Sequence, residues 1–420
     1  MSAAVARPYQ VAGMSIARHR VSGIIYLLTA GLIVYLFGSV EPGSESRFDL
    51  NTSGVAFTLP PLVLPSSPVI WGLAGICAFL GAVQLTRGFG ARRAVVLGAI
   101  VLTVVLAFLV WAASGRSMNL VGVIQATVVK ATPLTFAALS GVLCERSGVV
   151  NIAIEGMLLT GAFVSAVVGS AFGPWAGILG AALAGGALAW VLAVLAIRYR
   201  VDQIIAGTII NIFAAGITSF LASRVLVEIP TLNAPERLSA IPIPILNDIP
   251  IIGPIVFTNN VFVYGMFFLV VALHIGLFKT RWGLRVRAVG EHPKAADTVG
   301  IDVLRTRYLN VIMGGMVAGV GGAFLVVGAT GRFDKDMTAG RGFIGLAAMI
   351  FGAWTPIGSF LASLVFGFAD SLQARLSVLN VPIPSEILLM VPYVVTIFVV
   401  AGLVGRSRAP AADGRPYIKE

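Results

Sequence analysis

The residues of this chain that could do chemistry are few, and they stand in apolar surroundings. The densest set is Cys144-Glu-Arg-Ser-Gly-Val-Val-Asn-Ile-Ala-Ile-Glu-Gly-Met157. Glu145, Arg146, Asn151 and Glu155 adjoin long apolar runs, so their charges and hydrogen-bonding groups need partners inside the protein. Ser147-Gly148 can break one helix, and Asn151 can cap the next by accepting from its free N–H groups. Glu155 then falls in the first turn, where the helix dipole favours a negative charge. Lys130 and Asp370 are the other isolated charges, and Glu155 is a candidate partner for Lys130. Gln125, Gln203, Thr208 and Asn211 are neutral polar residues in or beside apolar runs, where an interhelical hydrogen bond is the commonest use. No G-x-x-x-x-G-K-[ST] phosphate loop, H-E-x-x-H or G-x-S-x-G is present, so no catalytic constellation is indicated and the chain binds no ATP through a P-loop of its own. Cys77, Cys144, His19, His274 and His292 are scattered, which indicates neither a disulfide framework nor a metal site.

A second concentration of charge is Lys279–Tyr308, KTRWGLRVRAVGEHPKAADTVGIDVLRTRY. It carries Lys279, Arg281, Arg285, Arg287, Lys294, Arg305 and Arg307, with Glu291, Asp297 and Asp302 among them. Glu291–Asp297 reads as a short helix with Pro293 near its first turn, ending near Gly300. The segment is either a surface that a cytoplasmic partner grips or a solvated loop whose charge sets topology.

The elements that position these residues follow from composition. The chain has 420 residues, 58% hydrophobic and 11% charged, with mean hydropathy +0.95. Soluble domains carry about 25% charged residues, so an all-α integral membrane protein is indicated. The net charge of +11 lies in short clusters between apolar runs, the pattern of membrane topology rather than of nucleic-acid binding. Runs of about 20 apolar residues are found at 21–40, 69–85, 94–113, 121–143, 151–170, 173–197, 204–223, 260–278, 309–329, 342–354, 358–374 and 387–404. The tenth is short and either re-entrant or continuous with its neighbour, giving ten to twelve spans. The first is longer than a signal-peptide core and reads as a retained span.

Alternating these spans from a cytoplasmic N-terminus puts Arg7, Arg18, Arg20, Arg87, Arg92, Arg93, Arg146, Arg198, Arg200, the central basic segment and Arg406, Arg408, Arg415 and Lys419 inside. That bias predicts both termini in the cytoplasm. The outer segments 41–67 and 225–259 are rich in Pro, Asn and Ser and read as short extended pieces, serving as plain connections or as a docking surface for an external partner. Gly315-x-x-x-Gly319 followed by Gly321-Gly322 marks close helix packing. A short echo between 151–175 and 343–358 is compatible with an internal pseudo-repeat. In this setting the Glu145–Glu155 stretch is either a structural break with a local Arg–Glu pair or a discontinuous helix beside a translocation path.

Four ordered segments carry a resemblance. ATPLTFAALSGVLCERSGVVNIAIEGMLLTGAF (131–163), GLRVRAVGEHPKAADTVGI (283–301), RGFIGLAAMIFGAWTPIGSFLASLVFGFADSLQ (341–373) and VPYVVTIFVVAGLVGR (391–406) resemble signatures of ABC-importer permeases for nucleosides and simple sugars, a group that includes the branched-chain amino acid and ribose permeases. The resemblance covers roughly 121–420. Its ERSGVVNIAIEGM version looks like one of the two paralogous permease subunits of purine-nucleoside importers. Residues 1–120, with about three spans, fit less clearly and are expected to form a separate N-terminal membrane region.

The resemblance implies a type II-importer-like permease bundle in the cell membrane, without a cofactor and without enzymatic activity of its own. It implies a cytoplasmic ATP-binding subunit, a second permease subunit and an extracytoplasmic solute-binding lipoprotein as partners. Within the loop 279–308 it places a coupling helix, for which Arg285, Arg287, Glu291, Lys294 and Asp297 are the candidate contacts. Asn151, Glu155 and Asn211 are the candidate residues of the substrate pathway. Nucleoside import is the expected function, with a simple-sugar importer as the alternative. An ion-coupled secondary transporter is the more distant one, and it would need Glu155 or Asp370 to titrate or bind an ion.

Overall fold

The computed structural model describes residues 8–52, 58–378 and 408–419; the predicted last span, 387–404, lies outside them. Among the described residues ten helices are long and apolar enough to cross a membrane. By their contacts the described residues form two units, one holding 8–122 with 376–378 and the other 123–375 with 408–419.

The first unit contains α1 (Pro8–Phe37), α2 (Ser66–Thr86) and α3 (Arg93–Ala112). Between α1 and α2 the Pro- and Ser-rich segment forms β1 (Glu45–Asp49) and β2 (Leu62–Pro65), paired antiparallel with Glu45 opposite Pro65. A third strand, β3 (Ser117–Asn119), lies parallel on the other side of β1. The expected extended pieces are thus a small sheet. It is pinned by buried Ser46, whose hydroxyl bonds to Ser66 Oγ at 2.7 Å and to the Val110 carbonyl at 2.6 Å.

The second unit holds most of α4 (Leu120–Glu145), α5 (Ile154–Phe172), α6 (Pro174–Ala193), α7 (Gln203–Leu221), α8 (Val261–Lys279), α9 (Arg281–Glu291), α10 (Pro293–Thr298), α11 (Val303–Leu325), α12 (Arg341–Phe351) and α13 (Pro356–Val378). Local chemistry sets the starts. Asp202 accepts from the Ile204 and Ile205 amides to cap α7, Asn260 from Val263 to cap α8, and Asp302 from Arg305 to cap α11. In the segment 225–259, β4 (Ile241–Pro242) pairs antiparallel with β5 (Thr258–Asn259).

The glycine pattern of α11 acts as expected. A Cβ at Gly319 would collide with the Ala181 carbonyl of α6, and one at Gly322 with the Leu158 carbonyl of α5. Backbone meets backbone there, which is how helices gain dispersion contact where lipid offers no hydrophobic drive. Beside this seam, Phe163 meets Phe333 and Phe262 meets Phe324 edge-on, with ring centres 5.3 and 5.7 Å apart.

α4 is the axis along which the last elements are ordered. α12 accompanies only its second half, with Gly345 against Leu134 and Ala137 and Met349 against Gly141. α13 then turns back along α4, placing Asp370 beside Lys130 and Ser371 Oγ on the Val123 carbonyl at 2.9 Å. The short tenth apolar run is therefore a half-helix, preceded by the non-helical chain 331–340.

Candidate functional site

Two helix starts meet at one carboxylate inside this unit. After α4 ends at Glu145, Gly148 adopts φ +86° and residues 149–152 run without helix before α5 begins. A Cβ at Gly148 would lie 2.8 Å from the Arg307 guanidinium, so both conformation and space require glycine. The Val150 amide donates to Gln203 Oε1 at the start of α7 (2.7 Å). The Gly156 amide donates to Asn211 Oδ1 (2.7 Å), about two turns further along α7. Asn211 Nδ2 also donates to the Ile152 carbonyl at 2.8 Å. One side chain of a neighbouring helix thus satisfies both an acceptor of the break and a donor that the start of α5 leaves open.

Glu155, in the first turn of α5, reaches across to α12. Its two oxygens accept from the Gly340 amide at 2.8 Å and the Gly342 amide at 2.5 Å. The carboxylate therefore caps α12 while standing at the start of α5, and both helix dipoles stabilise its charge.

The C-terminal end of α4 is a second joint. Buried Glu145 accepts from the Trp354 indole N–H at 2.5 Å. Arg146 donates from Nε to the Trp354 carbonyl at 2.7 Å and from Nη2 to the Ala353 carbonyl at 3.1 Å. Ala353 and Trp354 both have φ +53°. This left-handed backbone costs a non-glycine residue about 1–2 kcal/mol; here it aims both carbonyls of the α12–α13 turn at one guanidinium. Arg146 and Arg287 share the Phe278 ring, 5.7 and 5.1 Å from its centre. Burial lowers the pKa of Arg146 from its ordinary value, the nearby Glu291 charge opposes this, and Arg287 adds to it. A Cβ at Gly290 would collide with the Arg146 carbonyl, so the end of α9 lies directly on this joint.

α9 and α10 make up most of the basic segment. Thr280 caps α9 through the Gly283 amide, and its buried side is Gly283, Val286, Val289 and Gly290. His292 Nδ1 accepts from the Ala295 amide at 3.1 Å and starts α10. The C-terminal residues 408–419 are bound to the same elements. The Ala412 amide donates to the Gly290 carbonyl (2.9 Å) and the Ala411 amide to the Glu291 carboxylate (3.2 Å). Arg307 donates to the Arg415 carbonyl (2.9 Å), and Tyr417 is buried with Val289, Ala296 and Val303. Asp413 faces Glu145 and Arg307. Burial raises its pKa to about 6, against the lowering effects of a hydrogen bond with Glu145, the Gly414 amide and the Arg307 charge.

The sequence-predicted residues distribute as follows. Asn211 and Glu155 come together at the start of α5. Asn151 is buried nearby but does not cap α5: its Nδ2 contacts Cys144 Sγ (3.4 Å) and Met157 Sδ (3.6 Å). The helix starts after Ala153, without a side-chain cap of its own, and Asn211 supplies the acceptor instead. Lys130 pairs with Asp370 at 2.9 Å rather than with Glu155, because α13 doubles back along α4. Arg285, Glu291 and Lys294 are exposed, Arg287 is half-buried on Phe278, and Asp297 lies 4.0 Å from Lys419. The basic segment is less of a loop than its charges imply. Arg305 and Arg307 belong to α11, and Arg307 is 1% exposed. Sequence reasoning missed α9, although Gly283, Val286 and Gly290 have helical spacing. It also missed Trp354 and the docked tail, for which no local pattern exists.

A multi-spanning helical bundle, with helix starts facing each other inside it and amphipathic helices packed on its basic face, is the architecture of a membrane transport protein. The comparisons with known proteins place it within that class. Residues 123–400 match the model of the branched-chain amino acid transport system / permease component family, and the chain belongs to that family. It is 43% identical over 310 residues to the guanosine ABC transporter permease protein NupQ of Bacillus subtilis, covering 71% of this chain and 96% of that one. It is 42% identical over 319 residues to the nucleoside ABC transporter permease protein NupC of Lactococcus lactis, covering 72% and 99%. The putative glucose ABC transporter permease protein TsgC13 of Haloferax volcanii is 36% identical over 255 residues, covering 60% and 77%. No solved structure matches this chain.

Proposed function

We propose that this chain is a membrane-spanning subunit of an ATP-driven importer for nucleosides, working with a second permease subunit, a cytoplasmic ATP-binding subunit and an extracytoplasmic solute-binding lipoprotein. The observation that carries the reading is the 43% identity to a guanosine permease over nearly that protein's whole length. The sugar alternative has the weaker support of 36% identity over a shorter stretch. The ion-coupled alternative loses its acids: Asp370 is held by Lys130, and Glu155 by two amides.

In this reading both termini are cytoplasmic and 121–420 is the transporting domain, with 1–120 an added membrane region. Arg285, Arg287, Glu291, Lys294 and Asp297 present α9 and α10 to the ATP-binding subunit. Closure of that subunit on ATP moves α9. Gly290 bears on Arg146, Arg146 holds the α12–α13 turn, and the far end of α12 rests on Glu155. Displacement at the cytoplasmic face is thereby passed to the start of α5, where Asn151, Glu155 and Asn211 border the substrate pathway.

The test is uptake of labelled nucleosides and hexoses by cells expressing the chain with its partner subunits, run with vanadate and separately with a protonophore. Vanadate-sensitive guanosine or adenosine uptake that hexoses do not compete is the expected result. Hexose-competed uptake would replace the substrate, and vanadate-resistant, protonophore-sensitive uptake would overturn the reading.

A further inference from the structure

Residues 408–419 contact four elements at the cytoplasmic face of the transporting unit: the end of α4 through Asp413, α9 through Gly290 and Glu291, α10 through Ala296, and α11 through Arg307. These anchors point inward and hold the tail in one course. Between the tail and the α9–α10 junction lies a groove of about 500 Å³. One wall carries Glu291, His292 and Lys294; the other carries Arg415, Pro416 and Ile418. Ile418 is 54% exposed, and Val299 just beyond α10 is 75% exposed. On the groove wall itself, exposed Ile418 stands close to exposed Arg415, so this wall offers an apolar and a cationic contact side by side.

We propose that the docking surface for the ATP-binding subunit is composite, with residues 410–418 forming its second wall opposite α9 and α10. This rests on the reading of the chain as an ABC permease subunit. The occupant is a segment of the ATP-binding subunit presenting an acidic side chain towards Arg415 beside an apolar one towards Ile418. The tail is placed to act in this way because its anchors and its presenting residues are different: the backbone carbonyl of Arg415 is taken by Arg307, while its side chain is exposed.

The experiment uses the full chain, tagged and co-expressed with its second permease and ATP-binding subunits. Arg415→Glu with Ile418→Glu is expected to weaken retention of the ATP-binding subunit at least tenfold, as Lys294→Glu does, with the second permease retained. A proximity readout leaves the surface nearly intact. The two cysteines of the sequence, Cys77 and Cys144, are buried, so Ile418→Cys and, separately, Lys294→Cys introduce exposed thiols for a short heterobifunctional cross-linker. Cross-linking of both positions to the ATP-binding subunit is expected. Cross-linking from position 294 but not from 418, or a tail variant that holds the subunit within twofold of wild type, would overturn the composite surface and leave the permease reading standing. A wild-type chain that retains no ATP-binding subunit would overturn both.

Discussion

The two units of this protein solve the membrane problem differently. α3 in the first unit is more apolar than α4 in the second, yet 39% of its spanning residues are buried in protein against 89% for α4. In this pair the more apolar helix is the less enclosed one. Enclosure by protein goes instead to the helix whose Lys130 and Glu145 find partners in Asp370 and Trp354, groups that lipid cannot supply, while Thr127, Thr132 and Thr135 bond to carbonyls of their own helix. The first unit is a small set of helices tied by a sheet. The second is a bundle whose helices stop inside it and are capped by one another.

That contrast is sharpest at glycine. Gly319→Leu forces a side chain into the Ala181 backbone, whereas a Cβ added at Gly72 in α2 meets nothing within 4 Å, so Gly72→Leu starts into open space. The expected outcome is loss of the monodisperse size-exclusion peak for Gly319→Leu and an unchanged profile for Gly72→Leu. Equal behaviour of the two would erase the distinction between the units.

The next effect compares their polar joints. Glu155→Ala removes two hydrogen bonds from a carboxylate, worth about 3 kcal/mol or more together. Ser46→Ala removes neutral ones, worth about 1 kcal/mol. Thermal unfolding of the purified protein should rank them in that order, with Glu155→Gln between. A Ser46→Ala loss matching that of Glu155→Ala would place the decisive joint in the sheet.

The smallest effect is confined to the tail. The folded-state pKa of Asp413, about 6, lies above its ordinary value of 3.8, so the docked tail binds a proton more tightly than the free one. Its docking is fully stabilised below pH 4, weakens as pH rises towards 6, and has lost this contribution above it. Hydrogen exchange of residues 408–419, corrected for the intrinsic pH dependence, should show less protection at pH 7.5 than at pH 5. Asp413→Asn should flatten the difference. A profile unchanged by that substitution would assign the dependence to another group.

Much of the fold was legible because membrane spans are written in composition. Each described span was found near its place, and the glycines of α11 announced its close packing. The short tenth run was recognisable as unusual, since 342–354 is too brief to cross unaided. The amphipathic α9 was obscured by its many arginines, which read as topology before they read as a helix face. Glu145, Arg146, Asn151 and Glu155 stood out because charge beside hydrocarbon demands compensation, but their partners were out of reach. Trp354, Gly340 and Gly342 lie about 200 residues away in sequence and carry no mark of their own.

By itself, then, the sequence determined that the chain spans the membrane many times, which loops are basic, and where helices must break. Hydrophobic length and the cost of unpaired charge act locally along the chain. Only the tertiary structure decided what each broken end rests on: Glu155 on the start of α12, Asn211 on the start of α5, Lys130 on Asp370, and the C-terminal tail on α9 and Arg307. A half-helix inside a bundle must find its missing hydrogen bonds on whichever segment packing brings beside it, and that is a property of three dimensions.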